Sequence, residues 1–315
     1  MKKAVLIFNP SSGRNRERRA EKIARCAEIF RAAGVQAELR VTTGAGSAIE
    51  QARQAADSGA DTIIACGGDG TVNECLNGIM QAGSPAALGV IPLGSGNLLA
   101  TDLRLPLGTE AAARVLLSCK TLTLKPGVIR CQENGKETER YFIVAAGVGA
   151  DADLMYRTGA DVKKRLGMYA YFAEMARMIV RPRLPMFQTE WLDENGERRA
   201  ASVSLVMALR TRRFPRLMRF VNVGSALNRN DYRLLLFRTD KIRHFLNYFT
   251  SAITGCNWKV DAVELAWTTW FRCTALESRD PKEIHTEIDG ELLGTLPVEV
   301  SVAERTFELL IPDQT

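Results

Sequence analysis

The feature that most constrains the fold is a glycine-rich stretch over residues 66–78, with the sequence CGGDGTVNECLNG. It follows an apolar run over 62–65 that is typical of a buried parallel strand, and it leads into Val72, Leu76 and Ile79 at helical spacing. A strand that ends in glycines and opens a helix points backbone N–H groups and the positive end of the helix dipole at one small volume. The stretch therefore predicts a site for an anion such as phosphate.

Asp69 lies inside the same predicted turn. A phosphate would repel its carboxylate unless a cation or a transferable proton lay between them, so the turn indicates a phosphate site with a metal or a base. The alternative is an ordinary tight strand-to-helix turn with a solvated aspartate.

Length and composition indicate which general class of protein this chain belongs to. A chain of 315 residues is long enough for two domains, and 46% hydrophobic with 25% charged residues is typical of a folded soluble protein. The first apolar run stops at Asn9-Pro10, which favours a strand over a signal peptide, and the seven cysteines contain no CxxC pair. We therefore expect a cytoplasmic protein with free thiols. Its net charge of +6 favours phospholipid, nucleic acid or nucleotide without choosing among them.

The N-terminal part alternates strands and helices. Strands are predicted at 4–8, 35–41, 62–66 and 87–92, and helices at 14–33, 48–58 and 72–81. Turns with ligand-type residues follow successive strands, which is the pattern of an open parallel α/β sheet that binds at its strand ends. We predict a nucleotide-binding α/β domain over 1–125.

The pattern changes near Lys125-Pro126-Gly127. From there short strands with hairpin turns at 134–135 and 194–196 predict an antiparallel β-sandwich, interrupted by one helical segment near 154–179. We assign this second domain to 126–308 and allow residues 309–315 to rejoin the first domain.

A late motif, Asp289-Gly290-Glu291, places two carboxylates around a glycine. It predicts either a hairpin turn with solvated acids or a closing wall of a cleft between the domains, where one desolvated carboxylate accepts a proton from a substrate hydroxyl. Other chemistries have less support, because the chain lacks a P-loop signature and contains only two histidines, neither in a metal-ligand cluster.

Together these motifs resemble the lipid kinases of the diacylglycerol kinase catalytic-domain superfamily, which includes bacterial diacylglycerol kinase-like proteins, sphingosine kinases and ceramide kinases. The GGDGT element alone is shared with NAD kinases and phosphofructokinases, whereas its combination with PLGSGN and the late DGE is specific. The matching segments are NPSSG at 9–13, VTTGAGSA at 41–48, GGDGTVNECLNGI at 67–79, PLGSGNLLA at 92–100, AAGVGADADL at 145–154 and DGE at 289–291.

The resemblance implies a two-domain enzyme that binds ATP in the cleft between the domains and, with Mg²⁺, transfers the γ-phosphate to a lipid hydroxyl. It implies that Glu291 accepts the hydroxyl proton, and that Asp69 lies by the phosphates and metal or acts as the base. The nucleotide contacts carried over by position are Asn9, Thr42, Gly67, Gly68, Asp69, Gly70, Thr71, Val72, Asn73 and Ser95.

The chain departs from the family in two places. Leu98 follows Asn97 where the family usually has aspartate, which leaves lipid specificity open. Bacterial members carry a structural magnesium on an Asp-Gly pair in the β-domain. Asp231 matches that acid and is the predicted metal ligand, but Tyr232 replaces the glycine and Arg233 adds a cation.

Just before that position, residues 210–220 contain five arginines interleaved with Phe, Leu and Met. This segment predicts either contact with an anionic bilayer or a solvated basic loop. The expected partners are a lipid substrate and anionic phospholipid at the inner membrane surface, with peripheral association and no nucleic acid; a homodimer stays open. The alternative functions are an NAD kinase-like enzyme and a lipid- or nucleotide-binding regulator without turnover.

Overall fold

The chain divides into two compact units, unit 1 (Met1–Pro126 and Ala303–Thr315) and unit 2 (Gly127–Val302). The predicted division lay one residue earlier, with the chain returning to the first domain at 309. The predicted helix over 154–179 falls almost entirely outside the described residues. The computed structural model describes residues 1–11, 16–150, 152–153, 156, 184–212, 227–254, 261–277 and 280–313.

Unit 1 is built on a six-stranded sheet in the order β2-β1-β3-β4-β17-β5. All neighbouring strands in it are parallel except β17 and β5, which are antiparallel. This confirms the predicted open parallel α/β domain. The strands are β1 (Lys3–Phe8), β2 (Gln36–Val41), β3 (Thr62–Gly67), β4 (Ala87–Pro92), β5 (Lys120–Leu124) and β17 (Phe307–Ile311).

The described helices of unit 1 are α1 (Arg16–Ala32), α2 (Ser47–Asp57), α3 (Asp69–Gln81), α4 (Leu98–Asp102) and α5 (Thr109–Leu116). Helix α3 begins three residues before the predicted start at Val72. The extended backbone of Gly68 (φ −89°, ψ −174°) makes it the N-cap, so Asp69 and Gly70 already belong to the first turn. Apolar spacing could not show this, because neither residue is apolar.

The central strands of this sheet are apolar because both of their faces are covered. Every residue of β3 and of β4 is buried, as expected of parallel strands between helical layers. Cys66 near the end of β3 and Cys75 on α3 are free thiols, and burial raises the pKa of each above its usual value. Both thiols are therefore interior packing groups.

The C-terminal segment completes unit 1. Strand β17 pairs in parallel with β4 and antiparallel with β5. Just before it, Arg305 donates from Nη1 to Met80 O at 2.7 Å and from Nη2 to Ala82 O at 2.8 Å. These carbonyls end α3, so the arginine supplies donors that the helix itself lacks there.

Unit 2 is antiparallel in every strand pair that the structure describes. The α-helix of unit 2 whose first and last residues are both described is α6 (Ile242–Thr254). Its strands are β6 (Gly127–Glu133), β7 (Lys136–Phe142), β8 (Ala145–Gly149), β9 (Phe187–Leu192), β10 (Arg198–Val203), β11 (Leu205–Leu209), β12 (Tyr232–Phe237), β13 (Val263–Thr268), β14 (Trp270–Thr274), β15 (His285–Ile288) and β16 (Glu291–Val302).

The long strand β16 divides this sheet into two arms. Thr295 pairs with both Gln132 of β6 and His285 of β15, whereas Val300 pairs with β6 and with β14. Because β6 lies along one edge of β16, β15 and β14 follow one another along the opposite edge. Buried side chains from both arms, such as Phe271 and Leu234, share one hydrophobic core. The predicted antiparallel second domain is thereby confirmed, with its strands joined in one 11-stranded sheet.

Gly78 tests how tightly α3 packs on α2. A Cβ at this position would fall on the carbonyl oxygen of Ile49 and lie 2.7 Å from Ala52 Cβ. Since the backbone of α2 must move to make room, we expect Gly78→Ala to lower the free energy of unfolding by about 1–3 kcal/mol in urea titrations. The matched control is Gly83→Ala, whose Cβ would meet only Asp57 Oδ1 at 3.6 Å. Equal stability of the two variants would contradict the packing described.

Candidate active site

Four strand ends of unit 1 bring the predicted nucleotide contacts to one sheet edge. Phe8 at the end of β1 is in register with Val41 of β2 and Cys66 of β3. Gly67 is in register with Pro92 of β4. The residues that follow these strands, which include Asn9, Thr42 and Gly68, therefore lie along the carboxyl edge, where open α/β sheets bind ligands.

The first glycine turn, residues 67–70, is held by Asn9 and Thr71. The backbone N–H of Asn9 donates to Cys66 O at 3.1 Å, and its Nδ2 donates to Thr71 Oγ1 at 3.2 Å. A Cβ on Gly67 would overlap the Thr71 side chain. The N-cap Gly68 has no side chain, so the first amides of α3 are not capped by it. The turn thus has the features of an anion site at a helix N-terminus.

The second glycine turn, residues 94–97, is closed by its own asparagine. Asn97 has φ 50° and accepts from Gly94 N–H at 2.9 Å, while its Nδ2 donates to Gly94 O at 2.8 Å. The turn also touches the first one, because a Cβ on Gly94 would lie 2.6 Å from Gly68 Cα. Ser95 is exposed at its tip, where a ligand at this sheet edge has access to the hydroxyl.

Asp69 links the two turns. Its Oδ1 accepts from Leu98 N–H, the first residue of α4, at 2.8 Å, and a Cβ on Gly96 would lie 2.9 Å from its Oδ2. The side chain is half-buried. Asp69 is therefore held in place between the turns rather than in open solvent, and Leu98 contributes its backbone N–H to this contact.

Three of the predicted nucleotide contacts have buried side chains. Thr71 is 5%, Val72 is 3% and Asn73 is 8% exposed. Asn77 donates from Nδ2 to Asn73 O at 2.9 Å and to Asn73 Oδ1 at 3.1 Å. The side chains of all three predicted residues are thus part of the protein interior at the start of α3.

Glu74 is a residue of this edge that the sequence interpretation missed. Its Oε1 accepts from Gly46 N–H at 2.9 Å and its Oε2 from Ala48 N–H at 3.0 Å. These amides open α2, directly after the loop that begins at Thr42, so Glu74 fixes that loop to α3. The acidic residue one turn beyond Gly70 was visible in the sequence, but its partners were not.

Arg19 of α1 is a second missed residue. Its Nη1 donates to Leu93 O at 2.9 Å, immediately before the second glycine turn. Burial lowers the pKa of Arg19 from its usual value. Since arginine nevertheless stays protonated in proteins, a cation is held beside the turn. In the sequence, the only indication of a role for Arg19 was the basic face of the predicted helix over 14–33.

In unit 2, Asp289 and Gly290 form the hairpin turn between β15 and β16, with φ 49° and 83° as in a type I′ turn. Asp289 is 2% exposed, and its carboxylate accepts from the N–H groups of Ile143 (3.1 Å), Val144 (2.8 Å) and Ala145 (3.0 Å). It is a structural acid, not a solvated one. Glu291, by contrast, is exposed at the start of β16.

A further buried acid, Glu287, precedes the turn and was not predicted. It is 3% exposed, and its Oε2 accepts from Gly290 N–H at 2.9 Å. A Cβ on Gly147 would lie 2.7 Å from Glu287 Oε1, which explains the glycine at that position of β8. Glu287 and Asp289 therefore both stabilise the conformation of the hairpin turn.

Asp231, the predicted metal ligand, has both carboxylate oxygens engaged by Arg229. Arg229 Nε donates to Oδ1 at 2.8 Å, and Nη2 donates to Oδ2. Across the described residues, no three His, Cys, Asp or Glu side chains are grouped as metal ligands. Magnesium takes six oxygen ligands in near-octahedral geometry, so this residue set does not fit the ion.

The basic segment at 210–220 is only partly described. Arg210 is 1% exposed and donates from Nη2 to Arg229 O at 3.1 Å, so this residue neither faces a bilayer nor belongs to a solvated loop, and both alternatives were wrong for it. Residues 213–220 lie outside the described part. In the portion of the chain that the structure describes, no helix is both long and apolar enough to cross a bilayer.

The match to known proteins covers both glycine turns. Residues 3–129 match the diacylglycerol kinase catalytic domain. The predicted resemblance to this family is thereby confirmed, and the match supports the prediction of a lipid kinase.

Similarities over the full length of the chain agree with this match. The chain is 28% identical over 314 residues to a diacylglycerol kinase of Bacillus subtilis, covering 100% of this chain and 98% of the relative. It is 26% identical to a diacylglycerol kinase of Staphylococcus epidermidis, covering 99% and 92%. Its fold is similar to the crystal structure of a diacylglycerol kinase from Bacillus anthracis, with a TM-score of 0.70 at 20% identity over 99% and 98% of the two chains.

The two hydrogen bonds of Glu74 predict a measurable protection. We expect Glu74→Ala to speed hydrogen exchange at the Gly46 and Ala48 amides about tenfold or more, because each loses a charged acceptor. Peptide-resolved hydrogen exchange measures this. Glu50→Ala, which removes an exposed acid of α2 that pairs with Arg53, is the control and leaves both rates unchanged. Unchanged rates in Glu74→Ala would contradict the fixed loop.

The burial of Asp289 predicts a stability role separate from catalysis. Asp289→Ala leaves three backbone N–H donors without their acceptor, so we expect a loss of about 3 kcal/mol or more in urea unfolding. Asp280→Ala is the control, since that exposed acid caps a single 3₁₀ turn through Lys282 N–H at 2.9 Å. It is expected to cost about 1 kcal/mol. Similar losses in both variants would refute the assignment.

Proposed function

We propose that this protein transfers the γ-phosphate of ATP to the hydroxyl of a diacylglycerol-like lipid. The observation that carries the proposal is the alignment of Asn9, Thr42 and the two glycine turns along one carboxyl edge of a parallel sheet. Asp69 is held between those turns by Leu98 N–H. Such an edge suits a nucleotide, because its backbone N–H groups donate hydrogen bonds to phosphate oxygens and its loops contact the other parts of the nucleotide.

In the proposed complex the terminal phosphates lie against residues 67–71. The amides of the first turn of α3 and the guanidinium of Arg19 supply positive potential there. Thr42 and Ser95, at the ends of neighbouring loops, contact other parts of the nucleotide. Asn9 and Thr71 keep the turn rigid, so little rearrangement is needed when the phosphates bind.

The proposed metal partner of the phosphates is Mg²⁺, with Asp69 as the carboxylate that fits it, since this acid is half-buried at the phosphate turn. A nucleotide-bound magnesium supplies charge neutralisation at the transferred phosphoryl group. We place no magnesium at Asp231.

The proposed reaction is an in-line displacement. The lipid hydroxyl oxygen forms a bond to the γ-phosphorus, the bond from that phosphorus to the β–γ bridging oxygen breaks, and ADP leaves with that oxygen. Glu291 accepts the hydroxyl proton. Its position supports this role, because it is exposed at the end of a turn that Asp289 anchors through three hydrogen bonds.

The proposed acceptor is a lipid at the inner membrane surface, which the protein visits as a peripheral protein. The net charge of +6 favours an anionic surface. The replacement of an acid by Leu98 leaves sphingoid-type acceptors within the same proposal.

Incubation of the full chain with labelled ATP, magnesium and a panel of bacterial lipids and soluble alcohols tests the proposal. We expect label on a diacylglycerol or related lipid. Label on NAD would support an NAD kinase-like enzyme, and nucleotide binding without any product would support a regulator. Either result would contradict a lipid kinase.

The assigned roles predict two inactive variants. We expect Asp69→Asn and Glu291→Gln each to lower kcat about 100-fold or more while circular dichroism and the melting temperature stay close to those of the parent. Glu299→Gln on the same strand, β16, is the control and keeps the parental rate. A parental rate in either active-site variant would remove the role given to that residue.

A further inference from the structure

We propose that the guanidinium of Arg229 is the built-in cation of the Asp231 position in unit 2, and that this position binds no divalent metal. Asp231 immediately precedes β12, and Arg229 lies two residues before it. Because both carboxylate oxygens accept from one planar guanidinium, the pair has the two-pronged geometry of the strongest arginine–carboxylate contacts.

An indole ring holds the guanidinium from a second direction. Arg229 Cζ lies 4.1 Å from the ring centroid of Trp267 on β13. Arg233, the cross-strand neighbour of Trp267, places its Cζ 4.6 Å from the same centroid. Two cations therefore share one aromatic ring beside Asp231, and cation–π attraction adds to the hydrogen bonds.

Acidic residues near the pair also favour the guanidinium of Arg229 at this position. A surface pocket is lined by Asp193 and Glu194 from the β9–β10 turn together with Arg229, Asp231 and Trp267. Hydrogen bonding to Asp231 raises the pKa of Arg229, and the charge of Glu194 adds to this. Asp193 is engaged elsewhere, because its Oδ1 accepts two backbone N–H groups of its own turn and its Oδ2 accepts from Arg199 at 2.9 Å.

A magnesium ion would have to displace this arrangement. It would need the oxygens that Arg229 holds, and it would then lie next to two guanidinium groups of like charge. A covalently attached cation also has a high effective concentration, which free magnesium must overcome. The part of unit 2 that the structure describes around Asp231 therefore needs no magnesium to fold.

The test uses the full chain without nucleotide. We expect the same melting temperature in excess magnesium and in EDTA, and no stoichiometric metal after dialysis by elemental analysis. We expect Arg229→Ala and Asp231→Asn each to lower the melting temperature by a similar shift in both solutions, with the double variant no lower than either single one.

Arg198→Ala is the matched control. Arg198 also lies over an indole, 5.6 Å from the Trp270 ring centroid, but its acid Glu190 is 3.9 Å away. We expect it to leave the melting temperature unchanged. The proposal is overturned if EDTA destabilises the parent and Asp69→Asn but not Asp231→Asn, or if bound metal is lost only in Asp231→Asn. Parental stability of Arg229→Ala would overturn it as well.

Discussion

The backbone contact between the two glycine turns is the constraint on which the rest of unit 1 depends. Gly94 has no room for a Cβ, which would lie 2.6 Å from Gly68 Cα, and a Cβ on Gly68 would make a tight contact of 3.2 Å with Gly94 Cα. This contact holds the carboxyl ends of β3 and β4 side by side and lets the Asp69 carboxylate reach Leu98 N–H. Because the turns are fixed by backbone rather than by mobile side chains, the amides that open α3 are already oriented for an anion. The proposed phosphoryl transfer depends on this fixed orientation of the amides.

The acids of the motifs divide into structural and accessible groups. Glu74, Glu287 and Asp289 accept backbone N–H groups, which satisfies buried or half-buried carboxylates and ties segments that are distant in sequence. Asp69 is half-buried and accepts one backbone N–H group, that of Leu98, whereas Glu291 is exposed beside the turn that Asp289 anchors. In unit 2 a cation also has a structural role, since Arg229 neutralises the carboxylate of Asp231. Glu74, Glu287 and Asp289 thus belong to the framework of the protein, whereas Asp69 and Glu291 are the acids to which we assign a role toward the ligand.

Local patterns predicted the elements better than the contacts between them. The apolar runs predicted the parallel strands because β3 and β4 are buried on both faces, and the glycines before Val72 predicted the turn between β3 and α3. The start of α3 at Asp69 was missed because capping by Gly68 depends on backbone angles that apolar spacing does not report. The partners of Asp289 lie more than 140 residues earlier in the chain, and the burial of Arg210 depends on carbonyls beyond residue 226. Such long-range hydrogen bonds leave no periodic trace in a sequence.

The central claim is that a nucleotide's phosphates rest on the first glycine turn. A crystal structure of the full chain with a non-hydrolysable ATP analogue and magnesium tests it most directly. We expect the terminal phosphates within hydrogen-bond distance of the backbone amides of residues 68–71, with the metal beside Asp69. A triphosphate bound elsewhere on the molecule, with this turn unliganded, would contradict the account.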